Sequence, residues 1–464
     1  MDMIHTPIKR LLLKLSPPVM LALLIQAIYN IVDSFFVARY SSEGLTAISI
    51  VYPVQLLMTA LATGTGAGVN LLISRMDGQG ETKKQSGIVS CGLALALFHF
   101  LLFAVLGAFV SDDYFRMSSA NKLVNTQGVT YMNIIFVGSL GLFVESVCTK
   151  ILQARGNMAR PMAAQVIGAV TNIILDPVLI FGLFGVPSLG IAGAAVATVL
   201  GQWAAMFITL AAVRRIYPQR GKWDTSTCFQ IYQNGIGSIV TQSLYTLYIV
   251  GLNMILVLFS EDAVTVLGIY YKIQSFFFIP LLGFQQVLLP VISYNFGAGQ
   301  KQRIQETVRF AIMLSTGLML VASLVFLLFP QPLITIFSSK KELLQIGEYA
   351  FRVISLNFVP AGITIVVTSH LQGIAKMKLS VFVIVLRQVV LLVPLAWLLH
   401  FVGLKAVWWT FPLTELVAAA ICIIFERSKV CQMEINVESE QQIGIYQSVI
   451  EDEIQISIRR ELEK

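Results

Sequence analysis

Apolar runs of about 20 residues recur along most of the chain and are separated by short polar segments. A helix of that length crosses the ~30 Å hydrocarbon core of a bilayer with its backbone hydrogen bonds satisfied internally. The pattern predicts twelve transmembrane helices, at residues 15–37, 50–73, 87–110, 129–151, 162–184, 189–213, 233–259, 265–292, 308–329, 349–371, 379–401 and 404–425. We therefore expect an all-α polytopic membrane protein.

Composition supports this prediction. Of 464 residues, 56% are hydrophobic and 12% are charged, and the mean hydropathy is +0.78. Soluble domains contain roughly 25% charged residues. The N-terminal segment has basic residues but no small-residue cleavage site, which indicates a retained first helix. The five cysteines have no CxxC spacing, which favours free thiols over disulfides or a zinc site.

Lysine and arginine are unevenly distributed between the two sets of connecting segments. The set on the side of the N-terminus contains 18, among them Lys150, Arg155 and Arg160, and the opposite set contains 6. Because short basic loops stay in the cytoplasm, we expect a multi-pass protein of the cytoplasmic membrane with both termini inside the cell. The same bias explains the net charge of +7, so we do not expect nucleic-acid binding.

The chain contains an internal repeat with a constant shift of 219 residues. SRMDGQG at 74–80 pairs with SYNFGAG at 293–299, and ILQARGNM at 151–158 pairs with HLQGIAKM at 370–377. The shift spans an even number of crossings, so we expect two parallel six-helix lobes, a known transporter arrangement. The predicted domains are residues 1–213, a cytoplasmic linker at 214–232, residues 233–425, and a cytoplasmic polar tail at 426–464.

Two aspartates lie inside predicted membrane helices, where an ionised group costs a few kcal/mol. Asp33 follows Gln26, Tyr29 and Asn30 at helical spacing, which places the four side chains on one face. In the fifth predicted helix, Asn172 and Asp176 are four residues apart, and Thr198 of the sixth helix falls at a similar depth. These groups could share a proton or coordinate a hard cation such as Na⁺, with Asp33, Asn172 and Asp176 as possible Na⁺ ligands.

The alternative is that these polar groups only hydrogen-bond the helices together. We favour that structural role for Gln26, Gln165 and Gln202, because intramembrane amides commonly have it. For the aspartates we favour the functional role, because neutral groups would meet a structural need at lower cost. The repeat supports this choice, since Asp33 aligns with Leu252 and Asp176 with Leu395. The acidic pair is thus specific to the N-terminal half.

Further ionisable residues lie in predicted helices. Glu145 and Glu415 could be functional, or could form ion pairs within the bundle with Arg387 and Lys272; both possibilities stay open. The sequence contains no Walker A motif, nucleophile elbow or HExxH motif, which argues against ATP-driven pumping and hydrolase chemistry. We expect neither an enzyme nor a bound cofactor.

The residues that show a family resemblance are Asp33, NIILDPVLIFG at 172–182 with GIAGAAVAT at 190–198, and SYNFGAGQ at 293–300. Together they resemble the multidrug and toxic compound extrusion (MATE) transporters over nearly the whole chain to residue 425. The resemblance implies a V-shaped twelve-helix exporter that exchanges Na⁺ or H⁺ for amphipathic, often cationic drugs.

By position, Asp33, Asn172 and Asp176 match the family's N-lobe cation-site residues, and Thr198 is a fourth candidate. Pro17 and Pro18 match the region where the family's first helix bends. Other branches place acids in the seventh and tenth helices, which here contain none in their interiors. The chain is therefore similar to the DinF-like, prokaryotic multidrug branch.

The resemblance implies a secondary antiporter acting on a small molecule, and we expect it to work as a monomer within the lipid bilayer. Two rival functions are weighed against it. A flippase or exporter of a lipid-linked or metabolite substrate would need a basic cavity, for which Arg387 and Lys272 are the clear candidates. A membrane-embedded enzyme would need a nucleophile or a metal set, and we identify neither in the sequence.

Overall fold

The computed structural model describes residues 6–219, 221–338 and 340–427, so most of the predicted polar tail lies outside the described residues. The described residues form helices joined by short connections, with a 3₁₀ turn at Leu183–Gly185 and a π-helical turn at Leu386–Leu391. The α-helices are α1 Ile8–Tyr40, α2 Ser42–Gly78, α3 Thr82–Ser118, α4 Lys122–Gly138, α5 Leu140–Ala154, α6 Ala159–Phe181, α7 Ile191–Ile216, α8 Thr225–Leu256, α9 Glu261–Gly297, α10 Lys301–Leu328, α11 Pro330–Thr335, α12 Lys341–Ser355, α13 Phe358–Gly373, α14 Met377–Val385, α15 Leu392–His400, α16 Leu404–Val407 and α17 Thr410–Arg427.

The predicted all-α membrane architecture is confirmed. Within the described ranges, ten helical segments are long and apolar enough to cross a membrane, and twelve crossings result if each of two bent pairs counts as one. Several helices are longer than their predicted spans; α2 and α9, for example, contain 37 residues each. At 1.5 Å per residue these helices extend beyond the hydrocarbon core.

The fourth and tenth crossings are bent, which the apolar pattern did not predict. Helices α4 and α5 meet at 44°, and α12 and α13 meet at 45°. A bend frees backbone carbonyls, and here a neighbouring helix supplies the donors: Trp203 Nε1 donates to Gly138 O at 2.9 Å, and Ser323 Oγ donates to Ser355 O at 2.8 Å. The two bends lie at equivalent places in the 219-residue repeat.

Two of the hydrophobic clusters follow the two halves of the chain. The first joins side chains from Val37 to Ile231, and the second joins side chains from Leu252 to Phe411. A third cluster packs the first turns of α1, from Ile8 to Val19, against α9 and α10 of the other half. The first helix thus joins both halves of the protein.

The paired glycine motifs form a close contact between the halves. A Cβ at Gly78 would collide with the carbonyl oxygen of Tyr294, and a Cβ at Gly297 would collide with that of Arg75. Residues 75 and 294, like residues 78 and 297, are related by the repeat shift, so the contact is reciprocal. Ser293 Oγ also donates to Leu71 O at 2.8 Å. These contacts join the ends of α2 and α9 that we predict to face the cytoplasm.

Two expectations about lysines are wrong. Lys150 does not lie in a cytoplasmic loop, because α5 continues to Ala154 and the lysine is only 8% exposed. Lys272 has no acidic partner among the described residues; its amine lies over the ring of Phe337, 5.9 Å from the centroid. Without Lys150, the connecting segments on the side of the N-terminus still contain more lysine and arginine residues than those on the opposite side.

Candidate functional site

Helices α6 and α7 pack closely because both carry glycine at their crossing. A Cβ at Gly168 would lie 2.7 Å from Gly201 O, and a Cβ at Gly201 would lie 2.6 Å from Gly168 O. No larger residue fits at either position without moving a backbone. This approach brings Asn172 of α6 within hydrogen-bonding distance of Thr198 on α7.

The amide of Asn172 links Asp176 to Thr198. Its Nδ2 lies 3.3 Å from Asp176 Oδ1 and 3.3 Å from Thr198 Oγ1. With the amide rotated, the nitrogen donates to Asp176 Oδ2 at 3.2 Å and the oxygen accepts from the backbone N–H of Thr198 at 3.2 Å. The rotated arrangement gives each amide atom its proper partner. Asp176 is fully buried, so this amide is an important source of its solvation.

Asp33 reaches the same place from α1. Its carboxyl group is close enough to that of Asp176 for direct interaction, while its buried Oδ1 atom has no hydrogen-bond donor among the described residues. Within the described ranges, neither aspartate forms an ion pair with lysine or arginine. Two adjacent carboxylates without a basic partner repel each other unless a cation or a proton lies between them.

A cavity with an empty volume of about 650 Å³ adjoins this cluster. Gln26, Tyr29, Asn172 and Thr198 line it, whereas Asn30 is exposed and is not among its lining residues. The predicted polar face of α1 is therefore divided, with Gln26 and Tyr29 at the cavity.

For three cavity residues besides Gln26, sequence alone favours only a structural role or leaves the role open. Gln165, Gln202 and Glu145 all line the cavity. Spacing contained the signal for two of them: Gln165 precedes Asn172 by seven residues, and Gln202 follows Thr198 by four, so each shares a helical face with a site residue. Glu145 Oε1 accepts a hydrogen bond from Thr149 Oγ1 at 2.7 Å.

The C-terminal half contains a smaller cavity, with an empty volume of about 440 Å³. Its acid, Glu415, forms an ion pair with Arg387, in which Nε lies 2.6 Å from Oε1. One of the two ion-pair possibilities is thus realised, whereas Glu145 has no ion-pair partner in the part of the chain that the structure describes. The side chains of Gln388 and Asn357 also line this cavity.

The N-terminal cluster suits a small cation or a proton. Hard cations bind oxygen ligands, and Asp33, Asp176, Asn172 and Thr198 together offer carboxylate, amide and hydroxyl oxygens. The buried, unpartnered Oδ1 of Asp33 is an acceptor that such a cation or a shared proton would satisfy. In the described residues, no group of three or more His, Cys, Asp or Glu is placed to hold a metal ion, so any cation here would rely on the amide and hydroxyl oxygens as well as on the two carboxylates.

A comparison with known proteins finds the same family model in both halves of the chain. The MatE family model matches residues 18–178 and again residues 238–398. One similar protein is a FAD transporter of Shewanella oneidensis, 27% identical over 93% of this chain and 96% of its own length. Another is a probable multidrug resistance protein NorM of Thermotoga maritima, 24% identical over 75% of this chain and 76% of its own.

The fold is also found among solved structures. An outward-facing conformation of a multidrug resistance MATE family transporter of the MOP superfamily matches with a TM-score of 0.85 and 22% identity. The match covers 94% of this chain and 98% of the other. The two-lobe architecture predicted from the repeat is confirmed by this match and by the double match to the family model.

Proposed function

Because this chain belongs to the MatE family of membrane transporters, we propose that it exports amphipathic, often cationic small molecules in exchange for H⁺ or Na⁺. The relatives described as a probable multidrug resistance protein and as a multidrug export protein support drug export. A small-molecule substrate and a lipid bilayer follow from the family and the membrane-spanning helices. We further propose that the protein acts as a monomer in the cytoplasmic membrane with both termini inside.

One observation supports ion coupling above all others: Asp33 and Asp176 adjoin each other beside a cavity and have no lysine or arginine partner in the described part of the chain. Structural carboxylates in apolar surroundings are normally paired. A pair that lacks a permanent cation is suited to bind an exchangeable one.

Alternating access then requires the ion to change the shape of the N-terminal half. A proton or Na⁺ that enters from outside neutralises the aspartate pair and removes its repulsion. Pro17 and Pro18 lie inside α1, which is continuous from Ile8 to Tyr40, and prolines at these positions leave the carbonyls of Leu13 and Lys14 without helical donors. Bending of α1 there would reshape the cavity, so that the drug leaves outward and the ion continues inward.

The contacts between the halves support assignment of this structure to the outward-open state. The reciprocal glycine contacts and the Ser293–Leu71 hydrogen bond join the predicted cytoplasmic ends of α2 and α9. Closure there leaves the external side as the route to the cavity. Export would therefore alternate between this state and one in which these contacts are broken.

Reconstitution tests the coupling directly. Purified protein in proteoliposomes should export ethidium when a Na⁺ gradient or a pH gradient is imposed alone, and the gradient that works identifies the ion. At least one of the two gradients should drive export. Export driven by neither would overturn ion antiport.

Neutral substitutions at the aspartates test the site. Asp33→Asn and Asp176→Asn should abolish gradient-driven export while the protein still inserts in the membrane, because an amide cannot exchange a proton and binds cations weakly. Asp113→Asn, the same chemical change at an exposed position on α3, is the matched control and should export normally. Full ethidium export by both site variants would refute the proposal.

Transport of a metabolite is a second candidate, favoured by the FAD transporter of Shewanella oneidensis. The amides of Gln26, Gln165 and Gln202 at the cavity could bind the ring edges of a polar heterocycle. FAD counterflow in the same proteoliposomes separates the two substrates. FAD movement without ethidium export would favour the metabolite function.

A further inference from the structure

Lys150 is a buried lysine that hydrogen-bonds to both halves of the protein. Its Nζ donates to Gln153 Oε1 on the same helix at 3.0 Å and to Gln286 Oε1 on α9 at 3.0 Å. Neither acceptor carries a charge, and in the described ranges Lys150 has no ion pair. A buried ammonium that has only amide oxygens for partners is costly.

The surrounding helices hold this lysine in place. Asn70 Nδ2 of α2 donates to the backbone oxygen of Lys150 at 2.8 Å. A Cβ at Gly66, also on α2, would lie 2.8 Å from Lys150 Cγ, so α2 accommodates the lysine stem because residue 66 is glycine. The amine therefore occupies a formed site at the boundary between the halves.

The nearest acidic residue on the same helix is Glu145, five residues before Lys150, which is a rise of about 7.5 Å along α5, and Glu145 also lines the N-terminal cavity. In a medium of low dielectric constant, a negative charge in this position stabilises the ammonium over several ångströms without direct contact. Glu145 thus connects the cavity electrostatically to a hydrogen bond that crosses between the halves.

The repeat indicates that this arrangement has a role in one half only. At the 219-residue shift, Glu145 aligns with Thr364, Lys150 with Ser369, and Gln286 with Ala67. A contact that only held two similar lobes together would be expected at both repeat-related positions, and the glycine contacts do occur at both. Lys150, like the aspartate pair, instead occurs in the N-terminal half only.

We propose that Lys150 is the positioning residue through which cation binding in the N-terminal half weakens closure of the predicted cytoplasmic side. The inference rests on the proposed ion antiport. A cation bound at the aspartate pair lies beside the cavity that Glu145 lines, and its positive charge offsets the negative charge that stabilises the buried ammonium. Lys150 then gains stability by leaving Gln286 for water, and the closed contact between α5 and α9 is weakened.

The test measures how cation binding changes the ratio of closed to open molecules. Spin labels at Thr82→Cys and Gln302→Cys, exposed positions on the predicted cytoplasmic side, report the distance between the halves in a background without native cysteines. In the otherwise unchanged protein, saturating Na⁺ or acidification should shift the ratio toward the open state at least about fivefold, within the usual range of allosteric coupling.

Lys150→Met should raise the open fraction without added cation and reduce the cation-induced shift to less than about twofold. Lys150→Arg keeps the charge and should retain part of the shift. The matched control, Lys222→Met, removes an exposed lysine from the connection before α8 and should leave the shift unchanged. Gln286→Glu adds a carboxylate beside the amine and should favour the closed state even at saturating cation.

The outcomes separate coupling from simple fastening. If Lys150→Met raises the open fraction but keeps the full cation-induced shift, the lysine only fastens the halves and the inference is overturned. If Lys150→Met does not fold, a Gln286→Glu variant with an undiminished cation response overturns it equally. If the ratio of closed to open molecules in the parent protein depends on neither Na⁺ nor pH, the proposed ion coupling itself is contradicted, together with this inference.

Discussion

The two halves have the same arrangement of helices but differ in whether their buried acidic residues have a basic partner. In the C-terminal half, Glu415 is neutralised by Arg387 in an ion pair. In the N-terminal half, Asp33, Asp176 and Glu145 have no such partner in the part of the chain that the structure describes. A permanent internal cation excludes an exchangeable one, so the difference assigns the proposed coupling ion to the N-terminal half.

The repeat shows how the difference is encoded. Gly168 and Ala169, which line the larger cavity, align with Arg387 and Gln388, which line the smaller one. Two small residues thus leave space in one half that two long polar side chains occupy in the other. In addition, Asn172 and Thr198 align with Leu391 and Val417, so the remaining oxygen ligands also occur in one half only. The two halves therefore differ both in the space inside their cavities and in the oxygen ligands beside them.

The largest effect on stability should come from breaking the pair in the C-terminal half. Arg387→Met leaves Glu415 buried and unpaired, which should destabilise the protein by about 3–5 kcal/mol. The double variant Arg387→Met with Glu415→Leu should recover most of that loss, because no charge is then left unpaired. Unfolding in detergent measures both. Equal stability of the single and double variants would show that the pair is not the dominant interaction.

Positions where the halves agree should respond equally. Gly78→Ala and Gly297→Ala each place a methyl group against a carbonyl oxygen of the other half and should shift the protein away from the closed state, at a cost of about 1–3 kcal/mol. Gly317→Ala, on α10 with open space around it, is the control. The spin-label distances report the shift. A large effect of one substitution alone would contradict the reciprocal contact.

A smaller effect is expected at the cavity amides. Gln202→Leu removes one hydrogen-bonding group from the N-terminal cavity and should weaken ethidium binding by about 0.5–1.5 kcal/mol, or roughly two- to tenfold. Gln302→Leu, an exposed position on α10, should leave binding unchanged. Binding titrations measure both. An unchanged affinity for Gln202→Leu would place the drug elsewhere.

Sequence alone predicted the twelve crossings, the repeat and the grouping of Asn172, Asp176 and Thr198 at one depth. These features depend on hydrophobic length and helical spacing, which are local properties of the chain. The bend at Gly138 was not predictable in the same way, because it depends on a donor from Trp203, 65 residues away. Burial of Lys150 likewise depends on glycine at position 66 of another helix.

The cavity residues Gln165 and Gln202 illustrate an intermediate case. Their spacing from Asn172 and Thr198 placed them on the correct helical faces, but spacing does not distinguish a face that packs against a helix from one that lines a cavity. That distinction depends on Gly168 and Gly201, which bring α6 and α7 together. The cavity is therefore a property of the helix pair.

In the proposed exchange, drug and cation exclude each other through Asp33 and Asp176. The most direct test is ethidium affinity of the purified protein, measured across a range of Na⁺ concentrations and pH values. We expect the affinity of the unmodified protein for ethidium to fall as the concentration of the coupling cation increases, and the affinity of Asp176→Asn to be independent of that cation. The same cation dependence in Asp176→Asn and in the unmodified protein would show that drug and cation do not exclude each other through this pair.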